Sequence, residues 1–456
     1  MKYYIIAGEA SGDLHGSNLI TELRKQDPQA DVRCWGGDLM AAAGGTVVKH
    51  YKDLAIMGFA EVLMKLRTIF RNLDFAKKDI LDYNPDALIF IDYPGINMRI
   101  AKWARQQQRA STPQKTTTSI ASNGAATNAP HFKLIYYISP QVWAWKEGRV
   151  KQIRTNIDKM LVILPFEKAF YKKWDYEVEY VGHPLVEVID KVRAQSANPG
   201  PSSSLSSSAS NIATGAPSPP SSSSASNIAT GIPSSAPSSS ASKTPVGVPS
   251  HPQPSTAPSH PPATQFSKPV IALLPGSRKQ EILKKLPIML QVSGWFPDYQ
   301  FVVAQAPGLD EAFYQELLAV YPHVAAVRNQ TYSLLLTARA ACVTSGTATL
   351  ETALFGVPEV VCYKGSNISY QIARRLIKVK YISLVNLIMD KLVVHELIQD
   401  ELTPENLRRE LDDLLHNPQR QEQLAADYHQ LHEILSQGGH ASANAAHSII
   451  QFLATP

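Results

Sequence analysis

Cysteine is scarce in this 456-residue chain: Cys34, Cys342 and Cys362 are all it has. Three thiols scattered through apolar runs make neither a disulfide framework nor a zinc site, and a buried reduced thiol is the expected state of each. Charge of one sign is not in excess either. Lys and Arg number 44 against 39 Asp and Glu, a net +5, and no clustered basic stripe of the kind nucleic-acid binding needs is visible. No run approaches the ~20 apolar residues of a membrane span. Residues 3–7 form an apolar strand without an h-region or cleavage site, so a soluble cytosolic protein is expected, or one that touches a membrane only from the side. The strand at 3–7 is not followed by G-x-G-x-x-G, which argues against a dinucleotide dehydrogenase, and a P-loop lysine is missing, which argues against an ATPase. No His/Cys/Asp grouping has metal-ligand spacing, so neither a metal nor a cofactor is expected.

What is present centres on residues 271–278, Ile-Ala-Leu-Leu-Pro-Gly-Ser-Arg. Four apolar residues read as a buried strand, Pro275-Gly276 breaks it, and Ser277-Arg278 leads into a helix start. Such a turn presents free backbone N–H groups and a positive dipole end to an anion. Arg278 adds a planar fork suited to phosphate oxygens. An ordinary βα turn with a solvated arginine is the competing reading. Ser345-Gly346-Thr347 repeats the logic, and two such turns in one α/β domain suggest a pyrophosphate. Glu351, one helical turn further on, is placed to accept hydrogen bonds from ribose hydroxyls or to serve the helix dipole.

The rest of the chain alternates strands and helices in two series. Strand-like runs at 3–7, 32–35, 87–91, 134–138, 160–164 and 178–181 precede a Ser/Pro/Ala-rich stretch. Runs at 270–274, 301–304, 341–344 and 360–363 follow it, the last of them expected to close the second core. Repeated βα units imply parallel sheets covered on both faces by helices. The expected division is a first domain over 1–195 with a polar insertion at 106–130, a disordered insertion over 196–266, and a second domain over 267–456. The helices of about 418–453 are long enough to return to the first domain.

In parallel sheets the chemistry lies beyond the carboxyl ends of the strands, where Glu9, Ser11, Asp13, Asp92, Ser139 and His183 fall. Asp92 follows Leu88-Ile89-Phe90-Ile91, and desolvation there raises a carboxylate towards the range of a general base. An Asp opening a turn before Pro94-Gly95 is the alternative. Glu9 and Asp13 are candidates to bind sugar or acceptor hydroxyls, or to cap a helix. His15 and His183 are candidates for phosphate contact or proton transfer. Over 58–72, Phe59, Leu63, Leu66 and Phe70 recur at helical spacing with Arg67 and Arg71 among them. That pattern suits an amphipathic helix in an anionic headgroup layer or one packed on the sheet.

The motifs GEASGDLHG (8–16), IDYP (91–94), SPQVWAW (139–145), LPFE (164–167), GHP (182–184), LPGSR (274–278), SGTATLE (345–351) and SLVNL (383–387) occur here in the order seen in lipid-A-disaccharide synthases. The chain resembles that family over both halves, outside the two insertions. The resemblance implies a GT-B fold of the α/β class: two Rossmann-like domains with parallel sheets facing a central cleft, plus C-terminal helices. It implies inverting, metal-free transfer of 2,3-diacylglucosamine from UDP to the 6-hydroxyl of 2,3-diacylglucosamine 1-phosphate (lipid X), on the inner face of the cytoplasmic membrane. By that resemblance Asp92 takes the acceptor proton, Arg278 meets the UDP phosphates and Glu351 the ribose, and Glu9, Ser11 and Asn386 line the cleft. Asp92, Arg278 and Glu9 are the expected catalytic set. Gly276, Ser277, Arg278, Ser345, Gly346, Thr347, Glu351 and Asn386 are expected to bind UDP, while Ser11, Asp13, His15, Ser139 and His183 are assigned to the acceptor side. Membrane contact is assigned to Phe59, Leu63, Leu66, Arg67, Phe70 and Arg71. No nucleic-acid partner is expected, and a homodimer stays open. A UDP-N-acetylglucosamine 2-epimerase and a non-catalytic sugar-nucleotide binding protein are the alternative readings.

Overall fold

The computed structural model describes residues 1–54, 59–110, 131–197, 266–366, 370 and 379–455. Most of the first insertion and nearly all of the second, read above as disordered, lie outside the described residues. The first half holds β1 (Lys2–Ala7), β2 (Asp31–Gly36), β3 (Thr46–His50), β4 (Ala87–Ile91), β5 (Lys133–Tyr137), β6 (Lys159–Val162) and β7 (Glu179–Tyr180). They form one parallel sheet in the order β3-β2-β1-β4-β5-β6-β7. The second half holds β8 (Val270–Leu274), β9 (Gln300–Gln305), β10 (Ala325–Arg328), β11 (Ala338–Thr344), β12 (Glu359–Tyr363) and β13 (His395–Ile398). Their order is β10-β9-β8-β11-β12-β13, again all parallel. The central strands β1, β4 and β8 are apolar along nearly their whole length and buried on both faces, as helices on both sides of a parallel sheet require. These are two Rossmann-like sheets.

In each half the strand order reverses once, between β1 and β4 and between β8 and β11. A crevice opens at such a reversal, outside the carboxyl ends of the two strands. Register then brings particular turns together. Ala7 lies opposite Ile91, so the Gly8-Glu9 turn stands next to Asp92. Val343 lies opposite Leu274, so the turns at 275–278 and 345–347 leave the sheet side by side.

Strand β12 does not close the second sheet. Val360–Tyr363 pairs onward with β13, an outer strand of mixed polarity. The last helix, Ala441–Ala454, packs on Ala10–Gln26 of the first half. Asn444 Nδ2 donates to Val181 O (3.1 Å), Ser448 Oγ to Glu179 Oε2 (2.6 Å) and Gln26 Nε2 to Ala443 O (3.3 Å). The second half is thereby fastened to the first by its own tail. Among the described residues no helix is long and apolar enough to cross a membrane.

Candidate active site

Asp92 sits at the tip of β4 in a backbone conformation that non-glycine residues rarely adopt. Its φ is 40°, that of Tyr93 is 46°, and that of Ile138 at the neighbouring tip of β5 is 67°. Each such residue costs on the order of 1–3 kcal/mol and persists only where its surroundings over-determine it. Here they do. Asp92 N donates to Ile138 O (3.1 Å), and its own carbonyl accepts from Tyr136 OH (2.5 Å) and from Nδ2 of the fully buried Asn97 (2.8 Å). The backbone is locked while the carboxylate stays out of these bonds. Burial and the nearby Glu9 carboxylate push its pKa up to about 7, against one backbone N–H that pulls the other way. Asn97 and Tyr136, which hold this geometry, carry no motif of their own.

Glu9 joins the two halves electrostatically. It precedes the helix Ala10–Gln26, is half exposed, and lies 3.5 Å from Nη2 of Arg278. Arg278 is 70% exposed and also reaches Glu281 Oε1 at 3.4 Å. The Glu9 carboxylate thus links the buried acid of the first half, whose pKa it raises, to the exposed guanidinium of the second across the gap between the two sheets.

Across that gap are the paired turns. Gly276 and Gly346 have φ of 113° and 139°, which a side chain would strain. Arg278 immediately precedes the helix Lys279–Val292, and Gly346 precedes Thr347–Leu354, so both turns present N-terminal N–H groups. Ser277 is exposed and Thr347 half-buried, whereas Ser345 Oγ is turned to Ile382 O (2.9 Å). Glu351 is fixed through one oxygen by Tyr332 OH at 3.0 Å, and burial raises its pKa. Tyr332 was not a candidate from sequence. Ser11 is exposed at the start of its helix.

Five expected site residues are placed otherwise. The Asp13 carboxylate accepts from the backbone N–H groups of Gly37 (2.7 Å), Leu39 (3.2 Å) and Met40 (3.0 Å), so it ties down the helix Asp38–Ala42 instead of facing a ligand. Asn386 is fully buried; its Nδ2 donates to Val394 O and Glu396 Oε1, and its Oδ1 accepts from Val393 N and Val394 N. No capacity is left for UDP, and the residue ties the short helix Leu384–Met389 to the chain that leads into β13. Ser139 is buried with its hydroxyl 2.5 Å from Tyr171 OH, beside Glu167.

His15 and His183 are buried, and burial lowers their pKa to about 4 and about 3, the neighbouring His15 adding to the shift of His183. Neutral imidazoles cannot bring positive charge to a phosphate. They make the fold acid-sensitive instead. Their folded pKa values are depressed, so the unfolded chain binds more protons as pH falls from 6.5 towards 4. Stability is expected to drop by several kcal/mol across that window. Guanidinium unfolding of wild type and His183→Gln at pH 7.5 and 4.5 checks this, since the variant should lose less than wild type.

On the helix Phe59–Tyr83, Phe70 is 61% exposed with Arg67 and Arg71 beside it, while Leu73, Ala76 and Ile80 face the core. The side chains of Phe59, Leu63 and Leu66 lie outside the described residues. Among the described residues no three His, Cys, Asp or Glu side chains are grouped to hold a metal ion.

The family described as "Lipid-A-disaccharide synthetase" matches residues 3–112, 119–199 and 260–451. A lipid-A-disaccharide synthase of Geobacter metallireducens is 33% identical over 446 residues, covering 95% of this chain and 93% of that one. Among solved structures, a UDP-GlcNAc 2-epimerase of Neisseria meningitidis superposes with a TM-score of 0.57 at 11% identity, covering 100% of both chains. The glycosyltransferase of kitacinnamycin superposes with a TM-score of 0.54 at 14% identity, covering 99% of both. At such identities the two structures speak for the shared fold alone.

Proposed function

Because the chain belongs to the lipid-A-disaccharide synthase family, and is therefore a glycosyltransferase of lipid A biosynthesis, we propose that it transfers 2,3-diacylglucosamine from UDP to the 6-hydroxyl of 2,3-diacylglucosamine 1-phosphate with inversion. The observation that carries the reading is the line Asp92–Glu9–Arg278: a base-range carboxylate on one side of the gap and a phosphate-seeking cation on the other. The acceptor oxygen forms a bond to the anomeric carbon while the bond from that carbon to the UDP oxygen breaks. The hydroxyl proton passes to Asp92, and the electron pair leaves on the diphosphate. Arg278 and the N–H groups of the two turns stabilise that developing charge, so the reaction needs no divalent ion. Glu351, fixed by Tyr332, is suited to the ribose. Phe70, Arg67 and Arg71 give the helix Phe59–Tyr83 a face that suits a lipid headgroup layer, in keeping with acylated substrates met at the inner membrane surface.

The test is a product assay on the purified chain with both acylated substrates. The expected result is a β(1→6) disaccharide 1-phosphate with one UDP released per disaccharide, undiminished by EDTA. A 2-epimerised UDP-sugar formed without acceptor, or EDTA inactivation reversed by a divalent ion, would contradict the reading.

A further inference from the structure

Beneath the Pro275–Gly276 turn lies a lysine that the mechanism above does not use. Lys285 projects from the second turn of the helix Lys279–Val292, yet it is only 2% exposed. A buried ammonium is costly unless it is paired and hydrogen-bonded. Its Nζ donates to Thr344 Oγ1 and lies 3.7 Å from Glu281 Oε2. Burial lowers its pKa, and Glu281 opposes that shift.

Both partners belong to the phosphate-facing turns. Thr344 is the last residue of β11, directly before Ser345-Gly346. Glu281 stands in the first turn of the helix opened by Arg278 and is shared with that arginine. A Cβ at Gly276 would come 3.6 Å from Nζ and 3.1 Å from Glu281 Oε2. The ammonium therefore lies immediately behind the turn, together with Glu281 and Thr344, whose Cγ2 would be 3.4 Å from the same Cβ.

We propose that Lys285 is a positioning residue for the diphosphate: it ties the two turns together through Thr344 and neutralises Glu281, which would otherwise repel the phosphates that Arg278 attracts. The proposal rests on the reading of these turns as the UDP site. It predicts an effect confined to the charged part of the ligand. The nucleoside gains nothing from Lys285, whereas the diphosphate loses both a buried cation and the masking of an anion when it is removed.

Titration of UDP and of uridine into the full chain tests this. For Lys285→Met, UDP binding should weaken by on the order of tenfold or more, with uridine changed by less than about twofold. Adding Glu281→Gln should then restore at least about threefold of the UDP loss, because the unmasked carboxylate is gone. Equal weakening of both ligands, unchanged UDP binding, or no recovery in the double variant would overturn the proposal. If Lys285→Met does not fold, Thr344→Val decides: UDP binding about threefold weaker with uridine unaffected supports the tether, and unchanged UDP binding refutes it. Should the wild-type chain bind UDP no better than uridine, the nucleotide reading itself fails and the proposal falls with it. Tight wild-type UDP binding that Lys285→Met leaves intact removes the proposal alone.

Discussion

Asp92→Asn should lower turnover by about 10²–10⁴-fold while leaving UDP affinity within about twofold. The amide keeps the size of the carboxylate but cannot take a proton from the acceptor hydroxyl. UDP binding should be untouched, because the proposed phosphate contacts come from turns of the other half. Loss of folding is not the cause to expect. A carboxyl whose folded pKa is raised to about 7 contributes stability at low pH that is lost as pH rises from about 4 through 7. Above pH 7 its charge is therefore a burden on the fold, and asparagine removes that burden. The same shift sets the pH dependence of the wild type. Below about 7 the base is protonated, so kcat/KM falls towards tenfold per pH unit. Glu9 is one of the two causes of the raised value, so Glu9→Gln should move this limb to lower pH. A wild-type profile flat from pH 5 to 8, or an Asp92→Asn enzyme with near-normal turnover, would count heavily against a base at this position.

The second large effect belongs to Arg278. Its guanidinium is exposed and, among the described residues, makes long contacts to Glu9 and Glu281, at 3.5 and 3.4 Å. Exposed pairs of this kind add about 0–1 kcal/mol to stability, so Arg278→Ala should melt like wild type. Its proposed contacts to the diphosphate are another matter. A guanidinium bound to phosphate oxygens is worth roughly 1.5–3 kcal/mol in a charge-assisted bond, so UDP affinity should fall by about 10- to 100-fold. Turnover should fall as well, by on the order of 10²-fold, because charge accumulates on the leaving diphosphate as the bond breaks. Lysine at this position keeps the charge without the planar fork and should recover only part of the loss. Calorimetry of UDP binding together with kcat for the two variants checks both halves. Unchanged UDP affinity in Arg278→Ala would remove the arginine from the phosphates.

Much of this was readable in the sequence because parallel-sheet strands are apolar end to end and stop at polar turns. Tyr3-Tyr4-Ile5-Ile6, Leu88-Ile89-Phe90-Ile91 and Val270-Ile271-Ala272-Leu273 announce themselves, and the residues just after them make up the proposed site. Most outer strands do not, the run at 178–181 that holds β7 being the exception. Thr46–His50, Ala325–Arg328 and His395–Ile398 carry mixed polarity because they are partly exposed, and none shows a run long enough to separate strand from loop. A polar side chain's task reads badly from sequence when its partner is distant backbone. Asp13 looks like a cleft carboxylate until the chain returns at Gly37–Met40, and Asn386 like a cleft amide until residues 393–396 close around it. Lys285 did leave a trace. It falls between Ile282 and Met289 on the apolar stripe of its helix, where a solvated lysine has no place.

The most direct test of the account is a structure of the chain with UDP and the acylated acceptor bound. It should place the diphosphate against the N–H groups of the turns at 276–278 and 345–347 with Arg278 upon it. The acceptor 6-hydroxyl should lie about 3 Å from the Asp92 carboxylate. A divalent ion clamping the phosphates, or an acceptor hydroxyl out of reach of Asp92, would contradict it.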